Sequence, residues 1–556
     1  ETPVALTDDP ESVAVGSSVT INNLSYDPDN EAGTSGRPGI CSAAWTLTKP
    51  DGTQPTGSSL TSFAFTPATA GYYSLLLHVI DDDGEEAETT IDIDARNPEA
   101  YGGRSDHSED CQNCGDEKGV ACIQQPSGNA SFGSTDPTYT RGFPIRNRIF
   151  TNSQTLFPSR TTAMGNASFT YGINVYTATV GGTSKRFLID ENGMELDFGA
   201  ASGSPTPQAG VFSSLAVITG GYRLSNAGEP GKIWQAGNYT YEFNSSGKLT
   251  QVTDPSGNIQ TVSYTSGDPY QVSDVSSGRV LTFEYDTAGT IARVVEGAGL
   301  ATTHLSYTSG RLTGIVLKNS GGTTIRQFAL TYDSNGLMST VTRDGNSSST
   351  ITFTYSGTGS GPKLANMSWP GSGAGGASNY IYFVPPNSDS AYRVSRTNTD
   401  GGVIRTDYLA GGDIRRVIIP TLNGASSDTV YTFGHDSNHN RTTASNGLNT
   451  KTLGYNSLGL VTSYADSFGG SWTYGYSGRD LTSVADTTGT IWTLAYTDSG
   501  NPHSVTTLTN ALSKTWSFTY NSHGQMLTAT PPTGSPSSAD TYTYEESTSS
   551  GNYGYL

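Results

Sequence analysis

The stretch Leu330-Thr331-Tyr332-Asp333-Ser334-Asn335-Gly336-Leu337 decides the fold, because variants of it recur from residue 237 to residue 556. Its alternating apolar and aromatic residues predict a strand, and the following Asp or Asn with a Gly predicts a turn. Each unit is therefore predicted to hold two strands and two turns. The tyrosines that anchor successive units are spaced 20 to 27 residues apart and stand at 264, 285, 307, 332, 355, 382, 408, 431, 455, 476, 496 and 520.

A single hairpin of this kind is marginally stable in water, so neighbouring hairpins must pair to bury their rings. The repeats over 237–556 consequently predict one long, coiled, antiparallel β-sheet. The fold class predicted for the whole chain is all-β.

The rest of the chain divides by composition and pattern. Short alternating segments separated by turn clusters predict a β-sandwich over 1–97. A Gly/Pro/Asp/Ser-rich stretch over 98–145 predicts a cysteine-bearing linker. Strand-length segments over 146–236 predict a β-rich lead into the repeats.

Composition excludes several functions. The 556 residues carry 30 Lys and Arg against 50 Asp and Glu, a net charge of −20. This acidity argues against nucleic-acid binding, which needs clustered basic residues. No apolar run approaches the roughly 18 residues of a membrane span. Few cysteines, few lysines and strong acidity favour an extracellular or cell-surface protein of bacterial type.

Two resemblances to known families follow from these motifs. The segment ATAGYYSLLLHVIDDDGEEAETTIDID at 68–94, with Trp45, resembles polycystic-kidney-disease (PKD) or related immunoglobulin-like domains. The Tyr-Asp units over 237–556 resemble the YD-repeat, or Rhs, family. That resemblance implies strands that spiral into a hollow shell, which in the family encloses a toxic polypeptide or forms part of an adhesion ectodomain.

Shell-forming members of that family end in a self-cleaving Asp-Pro-x-Gly-Leu core. The nearest match here is Asp254-Pro255-Ser256-Gly257-Asn258, which lies within an early repeat and lacks the Leu. We therefore expect it to be a repeat turn.

The four cysteines leave two alternatives open. Cys111, Cys114 and Cys122, with His107, have spacings that a tetrahedral zinc site would use. Alternatively, these three cysteines and Cys41 form two disulfides, which suits an oxidising compartment and is the favoured interpretation.

Two acidic loops carry the candidate metal ligands. Carboxylate and amide oxygens are the ligands that Ca²⁺ prefers, while a solvated acidic turn is the alternative. No other cofactor is predicted. The calcium candidates are Asp27, Asp29, Asn30 and Glu31 in one loop, and Asp81, Asp82 and Asp83 in the other.

No acid/base or nucleophile constellation stands out, so the chain is predicted not to be an enzyme. The leading hypothesis is a secreted structural protein, either a surface appendage or adhesin or a self-assembling fibre whose subunits associate head to tail. One alternative is the N-terminal part of a toxin-encapsulating shell, with an enclosed polypeptide as partner. A second is a glycan-binding module that uses aromatic tracks.

Overall fold

The structure is a computed structural model, and it describes most of the chain. Its described residues are 2–7, 12–14, 18–27, 39–49, 53–68, 71–96, 109–112, 120–124, 129–133, 149–152, 167–180, 183–191, 195–230, 233, 236–275, 278–297, 301–356, 363–369, 376–383, 390, 392–398, 402–409, 413–419, 428–534 and 538–544.

The N-terminal part is a β-sandwich, as its alternating pattern predicts. A five-stranded sheet in the order β1-β7-β6-β3-β4 and a two-stranded sheet of β2 and β5 enclose a core centred on Trp45, whose ring stacks on Phe63 at 5.9 Å. The indole Nε1 of Trp45 donates to the carbonyl of Ser59 at 2.7 Å, so its polar atom is satisfied. The strands are β1 (Ser12–Ala14), β2 (Val19–Asn22), β3 (Ile40–Thr48), β4 (Thr56–Gly57), β5 (Ser62–Phe65), β6 (Gly71–Asp81) and β7 (Glu86–Arg96).

Two small antiparallel sheets follow. One has five strands in the order β12-β11-β10-β9-β8, and the other is the meander β13-β14-β15. Their strands are β8 (Glu109–Gln112), β9 (Val120–Gln124), β10 (Asn129–Gly133), β11 (Ile149–Asn152), β12 (Ala167–Phe169), β13 (Asn174–Val180), β14 (Thr183–Ile189) and β15 (Glu195–Ala200).

The repeats form one sheet of 29 strands that follow one another in sequence order, from β16 to β44. Short turns permit this order, since each turn delivers the chain to the neighbouring antiparallel position. The all-β fold with a long antiparallel repeat sheet is thus confirmed. Its strands are β16 (Ser214–Ile218), β17 (Gly221–Ala227), β18 (Tyr239–Asn244), β19 (Leu249–Thr253), β20 (Ile259–Thr265), β21 (Asp268–Asp274), β22 (Val280–Tyr285), β23 (Ile291–Glu296), β24 (Ala301–Thr308), β25 (Arg311–Asn319), β26 (Thr324–Tyr332), β27 (Met338–Arg343), β28 (Thr350–Ser356), β29 (Lys363–Trp369), β30 (Gly376–Phe383), β31 (Tyr392–Asn398), β32 (Val403–Tyr408), β33 (Ile414–Ile419), β34 (Thr429–His435), β35 (Arg441–Ser445), β36 (Thr450–Tyr455), β37 (Val461–Asp466), β38 (Ser471–Ser477), β39 (Asp480–Asp486), β40 (Gly489–Ala495), β41 (Thr507–Asn510), β42 (Thr515–Tyr520), β43 (Met526–Thr530) and β44 (Asp540–Thr541).

A bulge recurs in this sheet beside the anchor tyrosines. The strand register shifts immediately before Tyr264, Tyr285, Tyr332, Tyr455 and Tyr520, among others. A bulge re-aims the side chain beside it and increases the local twist. At these positions the bulge therefore sets the direction of the tyrosine side chain and increases the local twist of the sheet.

By internal contacts the chain divides into two compact units. The first comprises Glu1–Asp110, Ile123–Ala130 and Thr352–Thr432, and the second comprises Cys111–Cys122, Ser131–Ile351 and Phe433–Leu556. The domain boundaries inferred from sequence stay predictions. In the described part of the chain, no helix has both the length and the apolar character needed to cross a bilayer.

Candidate functional site

The predicted calcium loops are only partly described. The Asp81 carboxylate accepts hydrogen bonds from the backbone N–H groups of Asp83, at 3.1 Å, and Glu85, at 2.7 Å, so it closes its own turn. Asp27 is buried. Asp29, Asn30 and Glu31 lie outside the described residues, and among those that are described no three acidic, His or Cys side chains form a metal-capable group. The calcium site stays a prediction.

The cysteine alternatives also stay open. Cys41 lies on β3 with an exposed side chain. The side chains of Cys111 and Cys122, and all of Cys114 and His107, fall outside the described residues. Neither the disulfide nor the zinc hypothesis is therefore tested.

The Asp or Asn of each repeat caps its turn. In the turn that opens at Asp333, the Oδ1 atom accepts from the N–H groups of Asn335 and Leu337, both at 2.9 Å. Gly336, the residue between those two donors, has a φ of 83°, which strongly favours glycine. The same pair of bonds, to the N–H groups two and four residues on, is made by Asn244, Asp254, Asp286, Asn319, Asp436, Asn456, Asp466, Asn510 and Asn521.

The anchor tyrosines are tied to the backbone by their hydroxyl groups. Tyr476, at the end of β38, donates to the carbonyl of Val461 at 2.9 Å, and Tyr520 donates to the carbonyl of Val505 at 2.8 Å. Sequence reasoning found these rings but missed their polar role. The accepting carbonyl lies 13 to 20 residues before the tyrosine in these bonds. Equivalent bonds are made by Tyr241, Tyr264, Tyr285, Tyr307, Tyr332, Tyr455, Tyr496 and Tyr544.

Burial shifts the acidity of these hydroxyls. The pKa values of Tyr264, Tyr285 and Tyr307 are raised, first by desolvation, which disfavours the phenolate, and then by neighbouring tyrosine or carboxyl groups. Each hydroxyl is therefore a hydrogen-bond donor throughout the physiological pH range.

The late repeats, defined here as residues 429–530, carry two different faces. Paired residues along the sheet, such as Leu453 with Tyr464 and Leu494 with Leu508, project to the same side. That side, the aromatic face, comprises Leu453, Tyr464, Trp472, Tyr474, Val484, Trp492, Leu494, Leu508, Trp516 and Phe518. The opposite face presents Thr and Ser residues, among them Thr473, Thr493 and Ser517.

The aromatic face of the late repeats is incompletely covered. No hydrophobic side chain between 428 and 534 is fully buried, and the three buried side chains there are the polar Asn501, Thr506 and Gln525. Trp492 and Trp516 lie 5.8 Å apart on this face. This row of partly exposed rings is a candidate interaction surface.

The same face is buried in the early repeats, defined here as residues 212–297. Val252, Val272 and Phe283 are 3% exposed or less. Strand β12 and the turn after it lie over them, with the Phe169 ring 5.0 Å from that of Phe283 and the Tyr171 hydroxyl donating to Gln260 at 2.7 Å. In the early repeats, therefore, a segment of the same chain covers the face that stays partly exposed in the late repeats.

The early and late repeats also meet edge to edge, along a contact that we call the seam. Arg479 Nη2 donates to the Phe212 carbonyl at 3.0 Å, across 267 residues. Asn258 Nδ2 donates to the His523 carbonyl at 3.2 Å, across 265 residues. The residues joined at the two contacts are separated by nearly the same number of positions. The early and late repeats therefore advance together along the seam.

The Asp254–Asn258 turn is part of this seam. Asp254 accepts from Asn258 through both its backbone N–H and its side-chain Nδ2, each at 2.8 Å. Burial raises the pKa of the Asp254 carboxyl. The expectation that this segment is a repeat turn is confirmed.

Comparisons with known proteins give similarity at the level of folds. No protein-family profile and no curated sequence matches the chain. A Photorhabdus luminescens Tc holotoxin pore containing TccC3 matches with 12% identity and a TM-score of 0.40, over 87% of this chain and 27% of that one. The TcdB2-TccC3 complex without its hypervariable C-terminal region matches with 12% identity and a TM-score of 0.39, over the same shares. The chain therefore spans about a quarter of the length of these structures, and likeness at this level assigns neither family nor function.

Proposed function

We propose that this chain is a secreted, non-enzymatic structural protein whose repeat sheet forms part of a wall around a polypeptide. The observation that carries the proposal is the aromatic face of the late repeats. It presents tryptophan, tyrosine and leucine side chains that no segment of the described chain buries, whereas the same face of the early repeats is buried. The proposal includes no catalytic step and no cofactor.

The chemistry of this face suits an unfolded polypeptide. Leu453, Leu494 and Trp516 offer apolar contacts that do not require a fixed partner geometry. On this face the Tyr464 hydroxyl is already engaged, since it donates to the Asp466 carboxylate at 3.2 Å. The nearby hydroxyls of Tyr476 and Tyr496 donate to backbone carbonyls. Such a face binds exposed apolar side chains of many sequences, which a general enclosure requires.

The test fuses an unfolded passenger polypeptide after Leu556 and measures how fast a nonspecific protease degrades the passenger. Fusion raises the local concentration of the passenger at the sheet. We expect slower degradation than for the free passenger, and loss of that protection in Leu494→Asp, because a charge on the aromatic face opposes apolar contact. Trp492→Ser is a milder second variant if Leu494→Asp folds poorly.

Thr493→Asp is the matched control, because it places the same charge on the same strand but on the opposite face. It should keep the protection. Equal degradation of the passenger in the wild-type fusion and in its free form contradicts the proposal. Loss of protection in Thr493→Asp as in Leu494→Asp also contradicts it, because the effect would not belong to the aromatic face.

A further inference from the structure

The turns of the repeat sheet lie along two edges. Strands alternate in direction, so turns after odd-numbered strands share one edge, the upper edge, and turns after even-numbered strands share the other, the lower edge. At the seam, the upper edge of the early repeats, at Phe212 and 254–258, contacts the lower edge of the late repeats, at 456–460 and 521–525. Both seam contacts pair an upper edge with a lower edge, a relation that we call the polarity of the seam.

This polarity leaves the upper edge of the late repeats without a described partner. The lower edge of the early repeats is covered at one turn, where the Val175 N–H of β13 donates to the Gly247 carbonyl at 2.8 Å. The upper edge of the late repeats carries turns at 446–449, 466–470 and 510–514, and a side chain added at Gly447 or Gly469 would meet open space. On either side of that covered turn, the lower edge of the early repeats is open at Gly220 and Gly289, where an added side chain would have nothing within 4 Å. One open edge is an upper edge and the other is a lower edge, which is the combination that pairs at the seam.

Large apolar side chains stand at the tips of the open upper edge. Leu448 is 85% exposed, Phe468 is 76% exposed and Leu512 is 80% exposed, and each occupies one of three turns on that edge. Near the open lower edge, Val217 and Tyr270 are exposed as well. Regularly spaced apolar residues of this size in solvent mark a contact surface rather than scattered exposure.

We propose that the open upper edge of the late repeats docks the open lower edge of the early repeats of a second copy of this chain. The contact repeats the seam in trans, with turn against turn and with Leu448, Phe468 and Leu512 buried between the copies. Because the two edges differ, the interface is head to tail and leaves one open edge of each type at the ends of the stack. This contact does not depend on the proposed enclosure of a polypeptide.

Sedimentation velocity of the full chain over a range of micromolar concentrations tests the proposal. We expect the weight-average mass to rise with concentration beyond that of one chain. The triple variant Leu448→Asp, Phe468→Asp and Leu512→Asp should remain monomeric, because charges on the tips oppose burial. The control variant Thr473→Asp, Thr493→Asp and Ser517→Asp adds the same charge to the Thr/Ser face and should associate as the wild type does.

A mixing experiment tests the polarity of the contact. The variant Val217→Asp and Tyr270→Asp blocks the opposite edge and should also be monomeric on its own. Mixed with the triple turn variant, it should form a 1:1 dimer and nothing larger, because each variant retains one intact edge. A monomeric wild type, an associating turn variant with a native circular dichroism spectrum, or a mixture that stays monomeric overturns the proposal.

Discussion

At the scale of the residue, each anchoring tyrosine contributes a hydrogen bond through its hydroxyl as well as a packed ring. Ten described tyrosines donate to a backbone carbonyl of the preceding part of the sheet. Phenylalanine would fill the same volume without this bond, and the chain holds 31 Tyr against 18 Phe. The hydroxyl therefore gives a physical reason for tyrosine rather than phenylalanine at these ten positions.

Tyr476→Phe should lower the free energy of unfolding of the repeat sheet by about 1 kcal/mol, since the Val461 carbonyl loses its donor. Urea denaturation followed by circular dichroism measures the change. Tyr270→Phe is the control, because Tyr270 is 48% exposed, and it should be neutral. Equal effects at both positions would show that the hydroxyl bond contributes nothing specific.

The raised tyrosine pKa values predict a loss of stability in alkali. In the unfolded chain tyrosine titrates near pH 10, whereas burial raises the pKa of Tyr264, Tyr285 and Tyr307 in the fold. The neutral hydroxyls therefore stabilise the fold fully below about pH 10, and this contribution is lost as the pH rises above that value toward the folded-state pKa.

Thermal melts at increasing pH measure this loss. The melting temperature should fall more steeply above about pH 10 in the wild type than in a triple Phe variant at positions 264, 285 and 307. Parallel curves for the two proteins would show that these hydroxyls do not control the alkaline transition.

At the scale of the element, the Asp/Asn-capped turn determines each hairpin. Its third residue after the cap has a positive φ, and in most turns it is glycine, as at Gly336 and Gly459. Ser513, with a φ of 57°, occupies this position in the turn that opens at Asn510. A serine there carries strain of about 1 kcal/mol.

Ser513→Gly should therefore raise the free energy of unfolding by up to about 1 kcal/mol, because glycine adopts this conformation without strain. Ser457→Gly is the matched control at a turn position that lacks a positive φ. It should be neutral or destabilising, because glycine there only adds freedom to the unfolded chain. The midpoint of urea denaturation compares the two, and stabilisation by both substitutions would contradict the strain argument.

Elements were more predictable from the sequence than their associations. The alternation before Tyr332 and the Asp-to-Gly turn after it are local signals, so hairpins and their sequential order follow from the repeat. The contacts of Phe212 with Arg479 and of Asn258 with His523 join segments about 266 residues apart. Repeats resemble one another, so their sequence does not say which turn meets which, and only packing selects the partners.

At the scale of the whole molecule, the seam decides whether distant repeats act as one unit. Two glycines on the late side allow the close approach. A Cβ atom on Gly524 would lie 2.2 Å from the Ser256 hydroxyl, and one on Gly459 would lie 2.7 Å from the Phe212 ring. Gly469, on the open edge, has nothing within 4 Å of the corresponding position.

Gly524→Ala should accordingly open the seam, whereas Gly469→Ala should not. Both glycines have a positive φ, 78° and 95°, so both substitutions carry backbone strain and only the first adds a clash. Hydrogen exchange measured by mass spectrometry should show faster exchange of the 254–258 turn in Gly524→Ala alone. Ser256→Gly removes the clashing side chain, so the double variant should recover slow exchange in that turn. Unchanged exchange in Gly524→Ala would mean that the two layers are not held at this point, and acceleration without recovery in the double variant would place the effect within the 521–525 turn itself.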